Sequence, residues 1–273
     1  MDKSSWAGIV VAAGGIVGGM VMEGGKVAQI LQPTAAMIVF GGTLGAVMLQ
    51  FPLATVLDSF RALPGVFFPR GEKLEARLAQ IVVFAQKARK QGIVSLDADL
   101  GTVADPFLKK SLMLAIDGTD SQDLRNIMEL EMDHLAEHDE RCPKVFEAAG
   151  GYSPTVGILG AVLGLIEVMQ HLNNINEVGR GIAVAFVATI YGVAAANLFY
   201  LPVAGKLKHY AEERNRARQM VLEGTISILE GMNPRMLETK LRAFCGTQAP
   251  QAEAAGARDA APELAGEPSQ AAG

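Results

Sequence analysis

Charged residues are absent from four long stretches of this 273-residue sequence, and aromatic residues make up only 6% of it. Cysteine is also scarce: Cys142 and Cys245 lie far apart and match no metal-binding spacing, so we expect two reduced thiols. The net charge of −5 gives no indication of nucleic-acid binding. Glycine, by contrast, reaches 30 residues, and half of all residues are apolar. This composition is typical of helices that pack closely in lipid.

Four uncharged runs are long enough to cross a bilayer as helices, which takes about 20 residues. They extend from Ser4 to Met22, from Val27 to Leu57 with an apolar centre from Ala35 to Pro52, from Ala148 to Ile166, and from Gly181 to Gly205. Each run is apolar on all sides, unlike a core helix of a soluble protein, which is apolar along one stripe. The sequence predicts an all-α polytopic membrane protein with four transmembrane helices, the first of them retained rather than cleaved as a signal peptide.

The distribution of basic residues predicts the orientation of these helices. Of the 24 Lys and Arg residues, 12 lie in residues 58–147 and nine follow residue 205. Only Lys26 and Arg180 fall in the two short connections between helices. Because cytoplasmic loops are enriched in Lys and Arg, both termini and the long middle segment are expected in the cytoplasm.

The chain therefore divides into five parts. These are transmembrane helices 1 and 2 with a short periplasmic loop (1–57), a cytoplasmic helical domain (58–147), transmembrane helices 3 and 4 (148–205), cytoplasmic C-terminal helices (206–245) and a tail (246–273). The tail consists mainly of Ala, Gly, Pro, Gln and Glu, which cannot bury enough apolar surface to fold, so it is expected to be disordered.

Local start and stop signals predict the cytoplasmic helices. A helical pattern begins at Glu72 and stops at Gly92, and another helix starts at Asp105-Pro106 and ends at Gly118. Further helices are expected at 119–141, from 206 to 228 as a continuation of the fourth membrane helix, and at 233–244. We expect Thr119 and Gln122 to form a capping box at the start of the helix over 119–141.

No enzyme signature is found in the sequence, which lacks a P-loop, a G-x-S-x-G motif and an H-E-x-x-H motif. Neither enzymatic activity nor a cofactor is expected. His134 and His138 have the i, i+4 spacing of a possible metal site, but their acidic neighbours favour a solvated helix face.

Four segments resemble the MotA family, in the same order and over nearly the whole chain to about Phe244. They are PTAAMIVFGGTLGA at 33–46, YSPTVGILG at 152–160, GIAVAFVATIYG at 181–192 followed by Asn197 and Pro202, and EGMNP at 230–234. The resemblance implies the A subunit of an ion-driven flagellar motor stator in the bacterial inner membrane.

Partners are also implied by the resemblance. They are a MotB-type B subunit, with one membrane helix carrying an aspartate and a domain that binds peptidoglycan, a FliG-type rotor switch protein, membrane lipid, and further copies of this chain in a pentamer. The alternative interpretation is an ExbB/TolQ-like energiser of outer-membrane processes. Such proteins have three membrane helices, so the first helix pair, Ser4 to Pro52, favours the stator. A scaffold or solute carrier would show inverted repeats or polar residues at mid-membrane, and the sequence shows neither.

The resemblance assigns roles along the ion pathway. Pro154 and Pro202 match prolines that couple ion passage to a change of shape, and Thr189 matches a position that lines the ion path; Thr155 is the second candidate hydroxyl. Interpreted from the residues alone, Pro154 begins a helix and Pro202 ends one, because proline lacks a backbone donor. Both threonines can then satisfy their hydroxyls on their own helix backbone.

The expected ion is the proton. Ala161 stands where the resemblance implies a threonine in sodium-driven members, and Ala188 also lacks a hydroxyl. Sodium needs several oxygen ligands, whereas a proton needs a titrating carboxylate and water. Glu167 lies at the outer end of the third helix, so the mid-membrane carboxylate is expected from the partner.

Arg89 and Asp97 match positions that meet complementary charges on the rotor. Charged surface pairs steer docking more than they add affinity, which suits a contact that forms and breaks. Glycines also recur at four-residue spacing, which predicts close helix packing within or between subunits. The pairs are Gly14 with Gly18, Gly15 with Gly19, Gly41 with Gly45, and Gly160 with Gly164.

Overall fold

The computed structural model describes residues 3–68 and 74–246 of the chain. In these two ranges the protein consists of helices and connecting turns without a strand, which confirms the all-α class. The helices are α1 (Lys3–Met22), α2 (Pro33–Gln50), α3 (Leu53–Phe67), α4 (Leu74–Gln91), α5 (Pro106–Ile116), α6 (Ser121–Gln170), α7 (Ile175–Leu229) and α8 (Pro234–Arg242). Short 3-10 segments cover Val27–Gln29, Ile93–Thr102 and Ala243–Cys245. The predicted helix start at Glu72 and the tail beyond Gly246 lie outside the described residues.

Within the described ranges, four helices are long and apolar enough to cross a membrane: α1, α2, α6 and α7. Helix α6 has 50 residues and α7 has 55. At about 1.5 Å per residue, they are about 75 Å and about 83 Å long, well beyond a hydrocarbon core of about 30 Å. Both helices therefore extend from the apolar layer into the polar part of the molecule.

Two predicted helix boundaries are wrong because α6 and α7 continue past them. The helix expected to end near Arg141 continues through Pro143 and Pro154 to Gln170, so Pro154 does not begin a helix. Pro202 does not end one, because it lies inside α7 directly after a π turn at Ala196–Tyr200. A proline removes one backbone hydrogen bond, and packing against a neighbouring helix is sufficient here to keep the helix running.

The polar part of the molecule, called the polar domain below, has its own hydrophobic core. Helices α4, α5 and α8, the 3-10 segment Ile93–Thr102, the start of α6 and the end of α7 surround it. Its fully buried side chains include Ile81, Leu96, Leu112, Leu124, Met128, Met220 and Leu237. The chain leaves this core along α6 and returns to it along α7. Both long helices are therefore anchored in the same core.

Helix ends in this domain largely follow the predicted signals. Asp105 Oδ1 accepts a hydrogen bond from Phe107 N at 2.9 Å, and Gly118 has the positive φ of 84° that favours glycine. The capping box at Thr119 is wrong, because Asp120 caps α6 through a 2.6 Å bond from Gln122 N. A carboxylate one residue further on is an equally good cap, and the chain uses it.

The membrane helices differ in how much of their surface is covered. Helix α2 packs on α7 through Ala35 and Val39, whereas no residue of Ser4–Met22 in α1 is buried. Helix α1 contacts α3 through Trp6 and Phe67, whose ring centroids are 5.4 Å apart. Its apolar surface therefore faces lipid or another chain. Within residues 3–68 and 74–246, no disulfide joins Cys142 to Cys245.

Candidate functional site

A glycine seam joins α6 and α7 in the apolar layer. A Cβ atom added to Gly157 would lie 2.9 Å from the carbonyl oxygen of Ala188 and 3.1 Å from Gly192 Cα. One added to Gly164 would lie 2.9 Å from the carbonyl oxygen of Gly181. The two helices therefore run antiparallel and touch backbone to backbone, as small residues allow in a membrane.

The predicted pair Gly160 and Gly164 belongs to this seam, while Gly157 and Gly192 were not singled out in the sequence. The other predicted glycine pairs behave differently. A Cβ added to any of them would meet nothing within 4 Å in the described part of the chain: Gly14, Gly15, Gly18, Gly19, Gly41 and Gly45. Their faces are open on the single chain.

The candidate pathway threonines flank this seam. Thr189 is half-buried on α7 and donates from Oγ1 to the carbonyl oxygen of Ala185 at 3.3 Å. Thr155 is exposed on α6 and donates to the carbonyl oxygen of Tyr152 at 2.8 Å. Both hydroxyls satisfy themselves on their own helix, and each oxygen retains a free lone pair for water or an ion.

Ala188, one of the two alanines of the ion prediction, lies in the same seam. Ala188 is fully buried, and its Cβ would be 2.9 Å from a Cβ added to Gly160. Ala161 follows Gly160 on α6 and is half-buried. A side chain larger than alanine at 188 would separate the helices, so packing alone accounts for a small residue there.

The helix turns next to the two candidate prolines contact each other. Pro154 leaves the carbonyl of Gly150, four residues earlier, without its usual helical donor. A Cβ added to Gly150 would lie 2.5 Å from Cδ2 of Leu201, the residue before Pro202. The weakened turn of α6 therefore packs directly against the weakened turn of α7, where the π turn at Ala196–Tyr200 ends.

Two buried hydroxyls near this region have no hydrogen-bond partner in the described structure. They are Oγ1 of Thr43 on α2 and Oγ of Ser153 on α6. Thr43 is 1% exposed and Ser153 is 0% exposed. Neither was singled out in the sequence, because an uncharged hydroxyl in an apolar run gives no signal of whether it finds a partner.

A second feature that the sequence did not reveal is the tie made by Tyr191. Its hydroxyl donates to the carbonyl oxygen of Ile30 and accepts from Gln32 N at 3.2 Å. These bonds fasten the loop before α2 to the middle of α7. A tyrosine in an otherwise apolar helix is the signal that could have indicated it, since a buried phenol needs a partner.

The predicted rotor-facing residues lie in the polar domain, apart from the apolar layer. Arg89 is exposed in the last turn of α4, and Asp97 is exposed in the 3-10 segment that follows Gly92. Within the described ranges neither forms a salt bridge, whereas their neighbours Lys87 and Asp99 pair at 2.6 Å. Both charges therefore point to solvent and are available to another molecule.

Ionic contacts hold the polar domain together. Glu223 on α7 accepts from Arg125 Nη1 at 2.7 Å and from Lys240 Nζ at 2.6 Å, which joins α6, α7 and α8. Burial by itself raises the pKa of the Glu223 carboxyl, but the hydrogen bonds and charges of Arg125 and Lys240 outweigh it and hold the pKa below its ordinary value. The carboxyl is thus ionised at neutral pH and ties three helix ends.

Comparison with known proteins places this geometry in a family. The profile described as "MotA/TolQ/ExbB proton channel family" matches residues 100–220, and the one described as "Motility protein A N-terminal" matches residues 6–92. Motility protein A of Bacillus subtilis is 35% identical over 243 residues, which cover 88% of this chain and 90% of that protein. The chain belongs to the motility protein A family.

Two solved structures resemble the fold. The C. jejuni MotAB structure matches with a TM-score of 0.86 and 31% identity, over 92% of this chain and 98% of that one. The Bacillus subtilis flagellar MotAB stator complex matches with a TM-score of 0.80 and 35% identity, over 88% and 94%. The predicted MotA resemblance is confirmed, and this family is one of ion channel subunits rather than a known enzyme class.

Proposed function

We propose that this chain is the A subunit of a proton-driven flagellar stator, in which bending at the paired proline turns moves the polar domain. The contact between Gly150 and Leu201 carries the proposal, because it sets the turn weakened by Pro154 against the turn that leads into Pro202. Two weak points at the same level let both long helices bend together.

The length of α7 beyond this point supports a lever. From Pro202 to the helix end at Leu229, the rise of about 1.5 Å per residue gives about 40 Å. A bend of about 10° at the proline would therefore move the far end by about 7 Å. Because the end of α7 lies in the same core as α4, that displacement would carry Arg89 with it.

A MotB-type partner fits the apolar layer. The sequence has no acidic or basic residue in the runs 4–22, 27–57, 148–166 and 181–205. A proton path across the bilayer needs a titrating group, so a partner helix with an aspartate is required. The open glycine faces of α1 and α2 support further copies of this chain and surrounding lipid as the remaining neighbours, consistent with a pentamer.

Proton rather than sodium coupling is supported by the scarcity of side-chain hydroxyls at the seam. Ala161 and Ala188 provide no hydroxyl beside Thr189, while sodium prefers several oxygens. The predicted topology belongs to the same proposal, with a multi-pass position in the inner membrane and both termini in the cytoplasm. The polar domain then faces the cytoplasm, where Arg89 and Asp97 meet a FliG-type rotor protein.

Swimming speed of cells that depend on this protein tests the proposal, with the proton and sodium gradients collapsed separately. We expect a proton uncoupler to stop swimming and sodium removal to leave it unchanged. A single charge crossing 100 mV releases about 2.3 kcal/mol, so loss of the driving gradient removes the energy source directly. Dependence on sodium would refute the proton assignment while leaving the stator function intact.

An ExbB/TolQ-like energiser is the alternative from the same superfamily. The match to the "Motility protein A N-terminal" profile over residues 6–92 favours the stator, because it covers the first helix pair. In a deletion strain with no second stator, normal swimming combined with loss of outer-membrane uptake would support the energiser instead.

A further inference from the structure

Between the apolar layer and the polar domain, α6 and α7 run side by side through a stretch with little apolar packing. We call this stretch the stalk, and it consists of residues 136–141 of α6 and 208–219 of α7. In the α6 part no residue is buried, and in the α7 part the buried residues are Ala211 and Ala217. These small side chains bury little apolar surface, so they contribute little to holding the two helices together.

Hydrophobic clusters lie on both sides of the stalk but do not extend through it. Towards the membrane, a cluster includes Phe146 of α6 and Leu207 of α7. On the other side, the core of the polar domain includes Met220 of α7, and Leu135 of α6 packs against it. The stalk therefore joins two apolar bodies, and contacts other than apolar packing must keep it stiff.

Asp139 of α6 makes such a contact. Its Oδ1 lies 3.1 Å from Nη2 of Arg214, and its Oδ2 lies 2.9 Å from Nη2 of Arg218, one helical turn further along α7. Nε of Arg214 also donates to Oδ2 at 3.2 Å. The side chains of Asp139 and Arg218 are 16% and 13% exposed, whereas that of Arg214 is 51% exposed. Because water is largely kept from the pair of Asp139 and Arg218, breaking it costs more than breaking an ion pair on an open surface.

The other ionic contacts of the stalk each stay on one helix. Glu140 pairs with Lys144 of α6 at 2.8 Å, and His209 faces Glu213 of α7 at 3.5 Å. Among the described residues, the carboxylate of Asp139 therefore forms the only ion pairs between α6 and α7 in the stalk.

The position of Asp139 along the helices matters for the lever. Asp139 precedes Pro154 by 15 residues, and Arg218 follows Pro202 by 16. At about 1.5 Å per residue, the contact lies about 22–24 Å from the proline turns on both helices, just over halfway along the lever. A bend that begins at the proline turns reaches the polar domain only if the stalk does not yield. Two helices that can slide or splay separately yield more easily than the same helices tied together.

We propose that Asp139, held by Arg218 and Arg214, makes the two helices of the stalk move as one and thereby transmits bending at the proline turns to the polar domain. Asp139 is a positioning residue, because it lies outside the apolar layer and acts through the two arginines rather than on the ion. The transmission role rests on the proposed stator function, whereas the ionic tie across the stalk does not.

The tie is tested by hydrogen exchange and mass spectrometry on the full chain in complex with its B subunit in nanodiscs. Asp139→Asn keeps the shape of the side chain but removes its charge. We expect the amides at 208–219 to exchange about 10-fold faster or more, the contribution of a hydrogen bond to a charged group. The matched control is Glu140→Gln, which removes a pair within α6 and should leave exchange at 208–219 unchanged. If Asp139→Asn does not fold, Arg214→Gln removes only the half-exposed partner and should speed exchange there by a smaller factor.

Transmission is tested on single motors, by the increment in rotation speed that each added complex produces at high and at low load. Asp139→Asn is expected to reduce the increment at high load and to leave the speed at low load close to that of the wild type. The reason is that a compliant lever yields under load but follows when the load is small. Asp139→Glu retains the charge and should recover the increment at high load, and Glu140→Gln should change neither speed.

The load dependence separates this role from two others. A loss of folded complexes would lower the number of increments but not their size, and a defect in the ion path would lower the speed at low load as well. Equal exchange in Asp139→Asn and Glu140→Gln would overturn the tie. An unchanged increment at high load, or equal losses at both loads, would overturn the transmission role. Failure of the wild-type chain to drive rotation would overturn the stator function and the transmission role with it, while the exchange measurement still decides the tie.

Discussion

Gly157→Ala is the sharpest test of the glycine seam. The added methyl group would lie 2.9 Å from the carbonyl oxygen of Ala188 and 3.1 Å from Gly192 Cα, both of them backbone atoms that cannot rotate away. Ordinary contacts to a methyl carbon are about 3.5–4.0 Å, so α6 and α7 must separate by several tenths of an ångström. Overpacking of this kind costs about 1–3 kcal/mol.

The matched control is Gly151→Ala on the same helix. A Cβ added to Gly151 meets nothing within 4 Å in the described part of the chain. Both substitutions gain the same helix propensity, up to about 1 kcal/mol, so the difference between the two variants isolates the clash.

The assay is thermal unfolding of the purified complex in detergent, followed by circular dichroism. At about 2–4 °C per kcal/mol for a chain of this size, Gly157→Ala is expected to melt about 2–12 °C below Gly151→Ala. Equal melting temperatures would refute the backbone contact between α6 and α7. Swimming should fall with Gly157→Ala, because the seam flanks Thr189 and the proline turns.

Three further outcomes are expected. Glu223→Gln should lower the free energy of unfolding by about 1–2 kcal/mol at pH 7, because the ionised carboxyl ties two basic partners. The folded-state pKa of Glu223 is lowered, so its contribution to the free energy of unfolding is present above the unfolded pKa and disappears as the pH falls through the folded pKa. The denaturation curves of wild type and variant should therefore converge in acid. A difference that stays constant with pH would contradict this. Tyr191→Phe should speed hydrogen exchange of the loop at 26–32, measured by mass spectrometry, because both bonds of the phenol are lost. Arg89→Glu should slow swimming and be rescued by the opposite change on the rotor protein, whereas Arg216→Glu, exposed on α7, should have little effect.

Capping residues and the membrane runs could be predicted because their physics is local. Asp105 and Asn233 each precede a proline, and both side chains cap the following helix as expected. The miss at Thr119 shows the limit of such signals, since Asp120 beside it offers an equally good acceptor and only the final geometry selects one. Prolines were the larger error: Pro154 and Pro202 are ambiguous locally, because a proline inside a helix survives when neighbouring packing holds the two sides in line.

The sequence by itself determined the four apolar spans, the all-α class and the family. These depend on the transfer of apolar side chains to lipid and on the order of residues along the chain. The tertiary structure alone decided the register of α6 on α7, which sets Gly157 against Gly192 and Gly150 against Leu201. It also decided that the hydroxyl of Thr43 is buried without a hydrogen-bond partner in the described structure. Register and burial depend on which faces of distant segments meet, and that choice is made by the packing of all the helices together rather than by any short stretch of the chain.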